Sequence, residues 1–318
     1  MKFIRPEFFL IPALILVLFA GTSIADPAAA ELLSSGNVNQ AVSALTSRSD
    51  AESLNLLSRA YYSMEQWDEA VKCGERAVSL DPNNAAYHLW LAREYGRKAG
   101  TANALSAAGS ARKAKNEFER AVQLDPANVP ARVDLAQYYT EAPGIMGGGV
   151  EKAREQAAHV EKYDPGMAHL ILARVAEKQK ESDLAESQFR AAIKEGKNPA
   201  DMWLQLAGFY RQQGRLEAMQ AAVHSAMAQP GKPAETYFDA AEELYRGSCD
   251  LPVAVQYLRK YLSSAELVES APAFRAHYLI GQLDEKMGQN AAAAAEYQAS
   301  LALASGFVPA RKALSRVQ

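Results

Sequence analysis

The feature that most constrains this chain is a recurrence at intervals near 34 residues. The segment 51–84, "AESLNLLSRAYYSMEQWDEAVKCGERAVSLDPNN", holds two helical periodicities. One runs through Leu54, Leu57 and Tyr61, the other through Ala70, Ala77 and Leu80. Asp81-Pro82 closes the second, because proline lacks an amide hydrogen and clashes with a preceding helical turn. Later copies end in "AVQLDPAN" and "VEKYDPG". The spacing from Pro82 to Pro126 is 44 and from Pro126 to Pro165 is 39, so the unit of 34 carries 10 and then 5 extra residues. A repeat of this length made of two helices cannot bury its apolar face alone and must stack on its neighbours.

The positions within the unit resemble the tetratricopeptide repeat family. That signature asks for a large residue at position 4, Leu at 7, a small residue at 8, Tyr at 11, Ala at 20, an aromatic at 24, Ala at 27 and Pro at 32. From Ala51 the matching residues are Leu54, Leu57, Ser58, Tyr61, Ala70, Ala77 and Pro82, with Gly74 where an aromatic is usual. From Ala85 they are His88, Leu91, Ala92, Tyr95, Ala114, Phe118, Ala121 and Pro126. From Val129 they are Leu135, Ala136, Tyr139, Ala153 and Pro165. Leu172, Ala173, Ala185, Phe189 and Ala192 continue the pattern, followed by Trp203, Leu206, Ala207 and Tyr210. Copies near 235–268 and 274–307 are worn but keep Tyr245, Ala254, Gly281 and Tyr297. The resemblance implies an all-α fold, a right-handed α-solenoid of stacked helix-turn-helix repeats over 51–308. Residues 26–50 read as a worn half-repeat capping the start, and 309–318 as a polar capping segment, which such stacks need at their ends.

Two repeats carry turn insertions, near 97–113 and 140–150. The second contains Pro143, Gly144, Ile145, Met146, Gly147, Gly148 and Gly149. Glycines before a helix could cradle phosphate. Here no strand precedes them and no Gly-Lys-Ser/Thr follows, so the expectation is a structural turn in which Ile145 and Met146 plug apolar surface. Equivalent turns of adjacent repeats lie side by side, so the two insertions should touch.

The first 25 residues differ in kind. Lys2 and Arg5 precede an apolar run over 8–20, and Ser23 and Ala25 have the small-residue spacing of a signal-peptidase site. A run of 13 is shorter than the roughly 20 residues a bilayer span needs. The expectation is a signal peptide over 1–25 and a mature chain that is periplasmic or secreted, with no stable membrane insertion after cleavage. The alternative is an N-terminal membrane anchor.

Chemistry is sparse. His88, His169 and His277 all fall at position 4 and read as packing residues, and no His-Glu-x-x-His, Cys-x-x-Cys or Gly-x-Ser-x-Gly motif occurs. The expectation is no catalytic residues, no metal, no cofactor and no enzymatic activity. Cys73 and Cys249 lie about five repeats apart and should be free thiols. A net charge of -3 argues against nucleic acid as a partner.

A concave face built from the first helix of each pair would carry Arg59, Arg93 and Arg174 at position 9, with Asn55, Tyr62, Trp90 and Arg97 nearby. Resemblance to repeat grooves that grip carboxylate-bearing peptides implies a protein or peptide partner, bound through an acidic or C-terminal segment. The competing reading pairs these arginines with neighbours such as Glu52, Glu94 or Asp134. The function expected is a non-enzymatic scaffold or adaptor in the bacterial cell envelope. The alternatives are a structural subunit of an envelope complex, or a transporter-accessory or small-molecule binding protein.

Overall fold

The computed structural model describes residues 27–318, so the expected signal peptide lies outside the described residues. Seventeen α-helices and one short 3-10 helix follow in order among the described residues. They pair sequentially: α3 (Ala51–Ser63) with α4 (Trp67–Leu80), α5 (Ala85–Thr101) with α6 (Ala104–Leu124), and α7 (Val129–Glu141) with α8 (Val150–Val160). Then come α9 (Pro165–Lys178) with α10 (Ser182–Glu195), α11 (Pro199–Gln212) with α12 (Leu216–Met227), α13 (Glu235–Gly247) with α14 (Leu251–Leu262), and α15 (Ala273–Lys286) with α16 (Asn290–Leu303). The fold is an all-α solenoid of antiparallel helix pairs. Residues 26–50, expected as a half-repeat, hold two helices of eight residues, α1 (Pro27–Ser34) and α2 (Val38–Leu45). At the other end α17 (Val308–Val317) buries Ala310 and Ala313.

Local chemistry repeats with the helices. Asp50, Asn84, Asn128, Asp164 and Asn198 N-cap α3, α5, α7, α9 and α11, each accepting a backbone N–H from the first turn. In four of the pairs the inner turn uses one left-handed residue, Gly214 or Gly288 but also Glu65 or Lys180. A fourth-position side chain reaches across each of four pairs to the second helix. His169 meets Gln188 and His277 meets Glu296, both 19 residues on. Arg132 donates to Gln156 after 24, and His88 meets Glu117 after 29. The same bridge thus spans insertions of 0, 5 and 10 residues.

Two expectations need correction. Pro165 does not close α8; it opens α9, one residue after the Asp164 cap, where its missing amide hydrogen costs nothing. The 10 extra residues near 97–113 form no loop either. They lengthen α5 to 17 and α6 to 21 residues, leaving only a short turn between them.

The solenoid closes on itself. Phe274 and Phe307 are fully buried in one core cluster with Leu33, Leu45, Leu56 and Leu57 from the first helices. Asn39 donates to the Ala302 carbonyl (2.9 Å) and accepts from Ser305, and Gln66 donates to the Gly306 carbonyl (2.9 Å). At Gly36 the chain comes so near Ala273 that a Cβ would collide with its backbone nitrogen, and the φ of +79° also favours glycine there. The sequence reading of an open groove did not anticipate this seam.

Candidate functional site

Closure turns the concave face into a cavity of about 900 Å³ with walls from both ends of the chain. One wall comes from α3 and α5. Trp90, Arg93 and Arg97 lie three and four residues apart on α5, so they share a helix face. Trp90 sits between two guanidinium groups, 5.0 Å from Arg59 and 4.9 Å from Arg93. Tyr62 meets the ring of Trp90 edge-on at 5.7 Å and that of Trp67 at 5.4 Å. The opposite wall comes from α13, α15 and the segment before α15, and includes Asp239, Glu242, Arg246, Glu269 and Tyr278.

Most charges here are already matched. Arg59 donates to Glu269 through both Nε (2.8 Å) and a terminal nitrogen. Arg93 Nε donates to Asp134 (2.6 Å), and Arg246 pairs with Glu242 (2.7 Å). Arg275 donates to the Ser63 carbonyl (2.7 Å) and pairs with Glu65 (3.1 Å). Two groups stand apart. Arg97 donates only to the Tyr62 hydroxyl (3.2 Å) and has no ion pair among the described residues. Asp239 has neither a hydrogen bond nor an ion pair among the described residues; burial, then Glu235, Asp201, Glu242 and Glu243, push its carboxyl up to about 8.

The residues expected to form one basic line are therefore distributed. Arg59, Tyr62, Trp90, Arg93 and Arg97 share this cavity. Arg174 lies in a separate hollow of about 700 Å³ with Leu170 and Gln205, held by Glu177 (2.7 Å) and Gln205 (2.7 Å). Asn55 is only 4% exposed, sealed within the wall rather than presented by it. Asp134 was among the expected neighbours of the arginines; Glu269 was not, because it arrives from 210 residues away. Sequence periodicity carries no signal for Glu269, which precedes α15; Asp239 and Tyr278 lie on the first helices α13 and α15, and only closure of the ring brings all three opposite Trp90.

The glycine-rich segment forms a compact turn capped by a 3-10 helix (Gly144–Met146). The Tyr138 hydroxyl donates to the Met146 carbonyl (2.8 Å), and Lys152 donates to the Gly147 carbonyl (3.0 Å). Lys115 of the lengthened α6, two residues past the first insertion, lies against Gly147, so this turn rests on the extended helix. Ile145 departs from expectation. It is 93% exposed and plugs nothing, because the hydrogen bonds that close the turn aim it outward.

Among the described residues no cluster of His, Cys, Asp and Glu is arranged to hold a metal ion, and no helix is long and apolar enough to cross a membrane. Cys73 and Cys249 are both free.

Comparison with known proteins supports the repeat reading. Residues 51–84 match one tetratricopeptide repeat family model, and 147–198 and 172–218 match a second. The chain thus carries tetratricopeptide repeats over 51–84 and 147–218; proteins built of such repeats are typically protein-binding scaffolds and generally lack catalysis. No curated protein matches it. Among solved structures, a chain of the APC/C hetero-tetramer Cut9–Hcn1 aligns with a TM-score of 0.41 at 13% identity, over 91% of this chain and 54% of that one. This chain thus spans about half the length of that one. A tetratricopeptide repeat protein from Parabacteroides merdae aligns with a TM-score of 0.43 at 15% identity, over 84% and 98%. A thermophilic protein of the same kind from Thermus thermophilus aligns with a TM-score of 0.38 at 18% identity, over 65% and 87%.

Proposed function

We propose that this protein is a non-enzymatic scaffold that receives an extended segment of a partner protein in the cavity enclosed by its ring. The observation that carries this reading is the wall around Trp90. An aromatic ring flanked by guanidinium groups and a second aromatic is the kind of surface that dominates protein recognition. The cavity volume falls within the roughly 300–1,000 Å³ of ligand sites.

Gly96 supplies the test. It lies on the cavity wall, and a Cβ added there meets nothing within 4 Å. Gly96→Trp should fill the cavity and abolish recovery of the partner from a native extract while melting at the wild-type temperature. Undiminished recovery by this variant rejects the cavity as the binding site.

We place the scaffold in the bacterial cell envelope as an exported protein. The basic start, the apolar run over 8–20 and the small residues Ser23 and Ala25 support cleavage after Ala25. N-terminal sequencing of the protein from its native host should begin at Asp26. A start at Met1 in the membrane fraction replaces export with anchoring.

A further inference from the structure

The cavity's charges do not balance into a closed set. Four guanidinium groups, those of Arg59, Arg93, Arg246 and Arg275, are each satisfied by a carboxylate. A partner acid would have to displace those pairs before using them, and a charged hydrogen bond inside a protein is costly to exchange. Among the described residues the uncommitted groups are one cation and one carboxyl, which holds its proton at neutral pH in the free protein. Arg97, on the α5 wall, is exposed and engages only a neutral hydroxyl. Asp239, on the α13 wall, is half-buried and has no hydrogen bond or ion pair among the described residues.

Resting on the cavity reading above, we propose that the bound segment carries both a basic side chain, held by Asp239, and an acidic side chain, held by Arg97. The partner is then of mixed charge rather than simply acidic. Electrostatics and geometry agree on this. Asp239 and Arg97 stand on facing walls of the cavity, and a carboxyl kept protonated beside other acids ionises when an ammonium or guanidinium group arrives next to it. Arg97 presents a planar fork whose terminal N–H groups can donate bidentately to a carboxylate. Tyr62 and Trp90, beside Arg97, and Tyr278, on the α15 side, offer apolar contact to the aliphatic stems of such side chains.

The test uses pools of blocked heptapeptides with one shared apolar background. The pools carry Lys and Glu together at all separations, Lys alone, Glu alone, or neither. Trp67 and Trp90 line the cavity and make up two of the three tryptophans in the chain, so binding is read by intrinsic fluorescence and confirmed by calorimetry. The Lys-plus-Glu pool should bind tightest. Asp239→Asn should weaken Lys-bearing pools by roughly tenfold to a hundredfold, the worth of one hydrogen bond to a charged group, and leave the Glu-only pool unchanged. Arg97→Gln should do the reverse. Circular dichroism melts on both variants establish that each remains folded. Equal binding of all four pools, weakened by Gly96→Trp, overturns the charge assignment and leaves the cavity reading standing. Failure of every pool to bind overturns both.

Discussion

The carboxyl group of Glu94 occupies the space that a side chain at Gly74 would need. It is fully buried, accepts a hydrogen bond from the Ser58 hydroxyl, and lies so close that a Cβ on Gly74 would collide with it. An aromatic usually stands at the Gly74 position of the repeat, so the missing ring and the buried acid are two halves of one substitution. Gly74→Ala should therefore destabilise the protein by about 1–3 kcal/mol, the usual cost of overpacking. Urea unfolding of this variant should be partly rescued by Glu94→Ala, which empties the contested space. A stabilised Gly74→Ala, as ordinary helix propensity would give, contradicts the relationship.

Glu94 also sets a pH dependence. Burial first, and then the charge of Glu75, raise its carboxyl from 4.5 to about 8, against the lowering effect of Ser58. The folded state therefore holds the proton more tightly than the unfolded chain. The stabilisation is fully present below pH 4.5, declines as the unfolded chain ionises, and is gone once pH passes about 8. The slope reaches at most about 1.4 kcal/mol per pH unit for one group. Asp239 acts in the same direction, from 3.8 to about 8. Stability measured between pH 5 and 8 should fall with pH, and Glu94→Gln should make the fall shallower. An unchanged slope in that variant means Glu94 is ionised in the folded protein.

Phe307 joins the two ends of the chain. It is fully buried, with ring centroids 5.1 Å from both Phe274 and Tyr278. Phe307→Ala should cost about 3–5 kcal/mol. Hydrogen exchange should accelerate in α2 and α3 as well as in α16 and α17. Acceleration limited to the last two helices would show that the seam does not hold in solution.

Lys180 takes a left-handed conformation, with φ of 62°, in the turn between α9 and α10. The matching turns before α12 and α16 use Gly214 and Gly288. Lys180→Gly should relieve the strain and, after the extra entropy of the unfolded chain, raise stability by about 1 kcal/mol. Ile145→Ser serves as the contrast. With a side chain exposed to solvent, it should shift stability by less than about 0.5 kcal/mol.

The helices were legible because their signals are local. Caps such as Asn84 and Asn128, small residues such as Ala77 and Ala121, and a period of 34 all act within one repeat or between neighbours. The insertions were legible as lengths but not as shapes. Added residues with good helix propensity, as in 104–114, extend α6, whereas Pro143 and the glycines compel a turn. The cavity was half legible. Arg59, Trp90 and Arg93 follow from the register, but their partners across the ring depend on curvature accumulated over every repeat, which no local pattern encodes. Asn55 misled because position alone says which face a residue takes, not how tightly the next repeat covers it.

A seam between the first and last helix pairs also bears on how such a chain can change its length. An open solenoid can gain or lose a unit anywhere, since each unit touches only its neighbours. Here the pair α1 and α2 must meet α16, and Gly36 must meet Ala273. Duplicating or deleting one whole unit would push these surfaces out of register and leave Phe274 and Phe307 without cover. The same contact that encloses the cavity makes the number of repeats a fixed quantity, so added length has to enter within a pair, as a turn such as the one that carries Ile145 or as longer helices such as α5 and α6.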